Sequence, residues 1–133
     1  MVGDKEVLAY SVHTETPWMS QRKRAAQFAF LATEIGDDYE HVVVGGDFNT
    51  FSQRNIADLE QRFERAGLEH VSAGAGPTFE SNGFKFTLDH ILAKGLPATE
   101  NGVWSATEAS DHFPLWVKLV LDDDPDKKAQ SLD

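Results

Sequence analysis

A chain of 133 residues, 41% of them hydrophobic and 11% aromatic, is the size of one ordinary domain with material for a core. It has no cysteine, which excludes disulfides, thiolate metal sites and cysteine nucleophiles, and no apolar run near the ~20 residues of a membrane-spanning helix. A net charge of −10 excludes a broad basic footprint for nucleic acid, yet it leaves a phosphate substrate open, because a bound divalent cation inverts the local field.

Residues 6–14, "EVLAYSVHT", alternate. Val7, Ala9, Ser11 and His13 point one way and Leu8, Tyr10 and Val12 the other, the spacing of a strand. "PWMS" follows as a loop, with Trp18 a candidate for the rim of a cleft. From Ser20 the period changes: Phe28, Leu31, Ala32 and Ile35 make the apolar stripe of a helix, which Ser20 caps at its start and Gly36 closes. "HVVVGG" (41–46) is a short apolar strand of the kind buried on both faces. Residues 52–68 read as a second helix, with Ile56, Leu59 and Phe63 as its stripe and Gly67 at its end. "SAGAGPTFESNG" reads as loop, "FKFTLDHILA" (84–93) as one strand, and "PLWVKLVL" (114–121) as the last strand. "ENGVWSATEAS" lies between them as a candidate specificity loop. Residues 122–133 form an acidic tail of five Asp and two Lys, leaving −7 on residues 1–121. The expected order is β-α-β-α-β-β, and the fold class is α/β, a layered sheet with helices on one face.

Most polar residues fall on loops and helix backs. His13, Asp47 and Asn49 instead lie at or just past strand ends, Asp111 and His112 just before a strand, and Asp89 between apolar neighbours. Ligand sites gather at strand ends in layered α/β proteins. After a strand, an Asp and an Asn alone would mark only a turn. As a converging set they describe metal-assisted phosphate-ester hydrolysis. Carboxylates suit Mg²⁺, a carboxylate can orient or deprotonate water, and a carboxamide can donate to a phosphoryl oxygen. A histidine held by a second Asp is favoured as imidazolium and can contact phosphate. Gly45-Gly46 permits close backbone approach beside this set. His90 points away from Asp89 and reads as structural. His41 and His70 read as surface residues.

"GGDFNT" (45–50), "TLDHILAKG" (87–95) and "SDHFPLWVKL" (110–119), in that order, resemble the three C-terminal motifs of the endonuclease/exonuclease/phosphatase superfamily. "SVHTE" followed by "RAAQFAFL" resembles that family's strand with Thr-His and the helix behind it. The resemblance covers about residues 6–121. It implies that Asp47 activates the attacking water, that Asn49, His112 and His13 contact the phosphate, and that Asp89 orients His112. It further implies Asp111 and Asp47 as ligands of Mg²⁺, with Mn²⁺ as an alternative.

The family's opening strand with an essential Asn, and the segment that supplies its main metal-binding Glu, have no counterpart here. Residues 1–121 therefore resemble the C-terminal half of a four-layer α/β sandwich. The expected function is divalent-metal-dependent hydrolysis of a phosphodiester or phosphomonoester. The alternative is a catalytically inactive domain that serves as a binding or assembly module. Nucleic acid, phospholipid and inositol phosphate all stay open as substrates, with the acidic body favouring a small phosphoester over long duplex DNA. Two further expectations follow: a homodimer through a sheet face the two helices cannot cover, and the cytoplasm as the default compartment, since no signal peptide follows Met1.

Overall fold

A computed structural model describes residues 3–14, 21–35, 38–105, 108 and 110–121, without the side chains of Gln21 and Arg24. Trp18, Ser20, Gly36 and the acidic tail lie outside the described residues. The elements run β1 (Leu8–His13), α1 (Gln21–Ile35), β2 (Val42–Asp47), α2 (Gln53–Arg65), β3 (Glu69–His70), β4 (Phe79–Ser81), β5 (Phe84–Phe86), β6 (Asp89–Lys94), β7 (Ala98–Val103) and β8 (Leu115–Leu119). The chain is a mixed α/β protein. Among the described residues no helix is long and apolar enough to cross a membrane.

The main sheet has the order β1-β2-β6-β3. β1 runs parallel to β2, with α1 as the crossover; β6 is antiparallel to both β2 and β3. Alternation then assigns the faces. Val42, Val44 and Leu92 are fully buried on the side of the helices, joined there by the partly buried Leu8, Tyr10 and Val12. Both helices pack on this one face. Phe28 from α1, Phe63 from α2 and Phe48 from the loop after β2 close its core, with ring centroids 5.8 to 6.0 Å apart in edge and tilted contacts. α2 is capped by Ser52, whose hydroxyl accepts from Asn55 N–H at 3.2 Å.

The opposite face is not bare. β7 and β8 form a hairpin whose Val117 and Leu119, with Leu121 beyond them, pack against Val71, Ala93 and Leu96 together with Val7, Val43 and Ile91. The exposed face foreseen for a dimer is thus covered over its apolar part, and the exposed strip that remains is Ala9, Ser11 and His13 on β1. Gly102 of β7 lets the Trp116 ring lie flat on the hairpin, since a Cβ there would come within 2.7 Å of the indole.

Three local readings change. "FKFTLDHILA" is two strands rather than one, because Thr87 and Leu88 leave the extended pairing and the chain restarts at Asp89. Phe79–Ser81, read as loop, pairs with Phe84–Phe86 through Asn82-Gly83, both at positive φ (51° and 82°), as a two-residue hairpin turn requires. All of "ENGV" (100–103) belongs to β7 rather than to a loop. His41 and His70 are also not surface residues. His41 is buried under the turn that follows β6, where its Nδ1 donates to the Gly95 carbonyl at 3.1 Å. His70 has its side chain 8% exposed, because β3 lies against β6 and beneath α2.

Candidate active site

Sheet register lines up three of the candidate residues. His13 on β1 is the cross-strand partner of Asp47 on β2, and Asp47 is the partner of Asp89 on β6. The three side chains therefore share one row, at the end of the sheet and on the face away from the helices. Gly46 makes the row tight. A Cβ at Gly46 would lie 1.9 Å from the Val12 carbonyl oxygen, and its φ of +150° disfavours other residues. The atom such a side chain would strike belongs to β1, so this glycine serves strand pairing.

His112 reaches the row from another part of the chain. Its loop is stitched onto β4: Phe113 N–H donates to the Thr78 carbonyl at 2.7 Å, Glu80 N–H donates to the Asp111 carbonyl at 3.0 Å, and His112 bridges Phe79. The imidazole stands edge-on to the Phe79 ring, 5.0 Å between centroids. Its Nδ1 donates to Asp89 Oδ2 at 2.8 Å, which leaves Nε2 facing Asp47 Oδ2 at 3.7 Å. On the other side His13 Nε2 lies 3.9 Å from the same Asp47 oxygen, on a side chain 76% exposed.

The electrostatics bind a proton into this cluster. Burial raises the Asp89 carboxyl and the nearby Asp47 adds to that, while hydrogen bonds from His112 and Thr78 pull it back. For His112, partial burial alone would lower the imidazole. The Asp89 hydrogen bond and the charges of Asp89, Asp47 and Asp111 outweigh it and raise the group above its ordinary value. Both directions have one consequence: the Asp89–His112 pair holds a proton more tightly than the two groups would apart.

Asn49 and Asp111 sit differently from the others. Asn49 adopts a left-handed conformation (φ 50°), which Asn tolerates, and its N–H donates to Asp47 Oδ1 at 2.9 Å. The residue is 6% exposed, and its carboxamide donates through Nδ2 to the Thr14 carbonyl at 2.8 Å. That leaves one amide hydrogen and Oδ1 for other use. Asp111 is exposed beside the cluster, and its carboxylate makes a 3.5 Å contact with the Ser110 hydroxyl. Ligand atoms of Asp47, Asp89 and His112 lie within 4.8 Å of one another. Asp47 keeps Oδ2 free of close hydrogen bonds, and that oxygen with a neighbouring carboxylate is a donor set that suits a hard divalent cation.

Thr78 is the residue that sequence reasoning missed. It is fully buried, and its Oγ1 accepts from both Leu88 N–H and Asp89 N–H at 3.0 Å. Its carbonyl holds the strand of His112 and its N–H donates to the Phe86 carbonyl at 3.0 Å. One threonine thus fixes both partners of the Asp89–His112 pair. The signal available was a threonine after "GAGP", which reads as turn chemistry.

A model of the endonuclease/exonuclease/phosphatase family matches residues 2–112. A UPF0294 protein of Vibrio cholerae is 31% identical over 119 residues, 88% of this chain and 41% of the relative. The chain therefore spans about two fifths of the length of that relative. Among solved structures, an endonuclease/exonuclease/phosphatase family protein of Leptotrichia buccalis superposes with TM-score 0.66 at 22% identity, over 87% of this chain and 50% of that one. The mannosyl-6-phosphatase Bt3783 of Bacteroides thetaiotaomicron superposes with TM-score 0.60 at 24% identity, over 84% and 50%. The 3′ phosphatase NExo of Neisseria, bound to product DNA hairpin, does so with TM-score 0.59 at 19% identity, over 75% and 52%. At these identities the likeness is one of fold.

Proposed function

The chain belongs to the endonuclease/exonuclease/phosphatase family, and we propose on that footing that it carries the water-activating and phosphate-binding half of a divalent-metal-dependent phosphate-ester hydrolase. The observation that carries this reading is the single row of His13, Asp47 and Asp89, with His112 set onto it by a 2.8 Å bond to Asp89.

In this reading Asp47 takes a proton from water as the water oxygen forms a bond to phosphorus. The ester P–O bond breaks on the far side, and the leaving oxygen collects a proton from solvent. His112, charged through Asp89, donates from Nε2 to a phosphoryl oxygen, and the exposed His13 and the remaining amide hydrogen of Asn49 supply further donors. Asp89 is a positioning residue, since it acts through His112. Asp47 and Asp111 would hold Mg²⁺ or Mn²⁺, which when bound neutralises charge on the phosphate. The two carboxylates leave most of a six-oxygen shell to water and substrate, so metal binding by this chain alone is weak.

A small phosphoester suits a body of net charge −7 over residues 1–121 better than a long duplex does. Its structural neighbours span both kinds, a mannosyl-6-phosphatase and a 3′ phosphatase bound to product DNA hairpin. A second reading is an inactive binding or assembly module. A homodimer is the assembly this second reading expects, and sedimentation measures it directly.

The test of function is imidazole NMR with a slowly hydrolysed phosphodiester, paired with a turnover assay in Mg²⁺. The expected result is that the diester shifts the rings of His112 and His13 in the wild type and not in an Asp47→Ala, His112→Ala double variant. Ring shifts with no metal-dependent turnover support the module. If His112 and His13 stay silent while other residues respond, the site assignment fails.

A further inference from the structure

On the helix-covered face of the sheet a second polar cluster lies apart from the row of Asp47. Its hydrogen bonds run in one direction. The Thr50 hydroxyl has a single proton and gives it to the Thr87 carbonyl at 2.7 Å. Thr50 Oγ1 must then accept from His90 Nε2, 2.7 Å away. His90 is fully buried and stays neutral: burial and the adjacent His70 push it down to about 3, against the pull of the Thr87 backbone. Its Nδ1 is therefore a bare lone pair and accepts from His70 Nε2 at 2.9 Å. Burial lowers His70 also, outweighing both the charge of Glu60 and its pull as a hydrogen-bond acceptor, which at 3.7 Å is too far to close a bond. With its one proton spent on His90, the His70 ring ends in a lone pair at Nδ1.

That lone pair has no partner. His70 Nδ1 is buried without a hydrogen bond, on a side chain 8% exposed. The group it faces is a second acceptor, Glu60 Oε2, at 3.7 Å. Two acceptors face each other at a separation too long for a shared hydrogen bond. A cation between them resolves this. Zn²⁺ takes imidazole nitrogen at roughly 2.0–2.1 Å and carboxylate oxygen at roughly 2.0–2.2 Å. A 3.7 Å gap is a little shorter than the sum, as a bent nitrogen–metal–oxygen arrangement needs.

The surroundings favour the same occupant. His70 and Glu60 line a hollow of about 350 Å³ under the loop of residues 73–77, with Gln53 and Ser72 beside them. They also line an adjoining hollow of about 560 Å³ to which Glu64 and Glu69 contribute. Three glutamates around one neutral imidazole make a place where cations collect. One imidazole with one carboxylate is a borderline donor pair, which suits zinc better than magnesium.

We propose that His70 Nδ1 and the Glu60 carboxylate form a binding site for a divalent transition-metal cation of the zinc class, separate from the Asp47 centre. The rest of the coordination shell is water held in the two hollows. The proposal is independent of the phosphoesterase reading.

The experiment is titration of the chain with Zn²⁺ alone, followed by long-range nitrogen–proton NMR of the five imidazoles and by calorimetry. An Asp47→Asn, His112→Gln background removes the other set of donors. In that background the His70 Nδ1 signal is expected to move with Zn²⁺ and not with Mg²⁺. Glu60→Gln, at a side chain 47% exposed and so unlinked to folding, should weaken the binding at least tenfold. His70→Gln should abolish it, and Glu60→Gln alone decides if that variant does not fold. A His70 Nδ1 that carries a proton at pH 7 in the metal-free protein, or that stays unmoved at millimolar Zn²⁺, overturns the proposal.

Discussion

Replacing Thr78 by Val should loosen the candidate active site without cutting a hole in the core. The two side chains are nearly the same size, so the fully buried position keeps its packing and loses only the hydroxyl. That hydroxyl accepts from two backbone donors, Leu88 N–H and Asp89 N–H, each at 3.0 Å. A buried donor left without a partner costs about 1–3 kcal/mol. Two such donors, one fully buried and one half-buried, give a loss of about 2–4 kcal/mol. Denaturant midpoints at unchanged slope would read this out. Asp89 should then drift from His112, so the His112 pKa, followed by proton NMR, should fall back toward the ordinary histidine value. A Thr78→Val chain that loses less than about 0.5 kcal/mol, with His112 unshifted, would refute the account of Thr78 as the joint between the two.

Asp47→Ala and His112→Ala, tested wherever metal-dependent turnover is measurable, should each lower kcat by at least ~10²-fold while the chain stays folded; near-wild-type kcat would remove either residue from the mechanism. Stability should peak near pH 6.5. Below it, His90, held at about 3 in the fold, resists a proton that the unfolded chain accepts, so stability drains as pH falls from 6.5 toward 3 at up to about 1.4 kcal/mol per unit. Above it, the raised His112 loses its proton and with it the attraction of Asp89, so that contribution is full below 6.5 and fades as pH climbs through the folded value. His112→Gln should flatten the alkaline limb only, and a variant curve parallel to wild type on both limbs would contradict this. Gly46→Ala should destabilise by about 1–3 kcal/mol from backbone strain alone and by more from the collision with Val12, measured as a lower midpoint or loss of soluble protein.

The elements that sequence made legible are those whose side chains sort by face. Leu8, Tyr10 and Val12 against Ala9, Ser11 and His13 announce a half-buried strand, and Phe28, Leu31 and Ile35 announce a helix with one wet side. The convergence of Asp47, Asp89 and His112 was legible because each stands beside such an element in a recognisable motif. β7 was hidden because Glu100, Asn101 and Gly102 are poor strand formers, and what holds them extended is the ladder to β8 and the indole of Trp116. β4 was hidden because three residues carry no periodicity. The burial of His41 and His70 was invisible because a polar residue reads as surface until its partners are known, and those partners, Gly95 and His90, lie far along the chain. Thr78 failed to show for the same reason.

His13, Asp47, Asp89 and His112 come from four stretches of chain, and the first three meet only through strand register. A helix can form from its own neighbours within about a microsecond, whereas joining distant strands waits on closing long loops. The chemistry-bearing row thus belongs to the last part of the molecule to assemble. During refolding, α1 and α2 should regain helicity well before any phosphate mimic finds a place to bind. A nascent chain has no row of His13, Asp47 and Asp89 until the stretch bearing Asp89 has been made and has paired with β2. The row, in this chain, arrives with the completed sheet and not before.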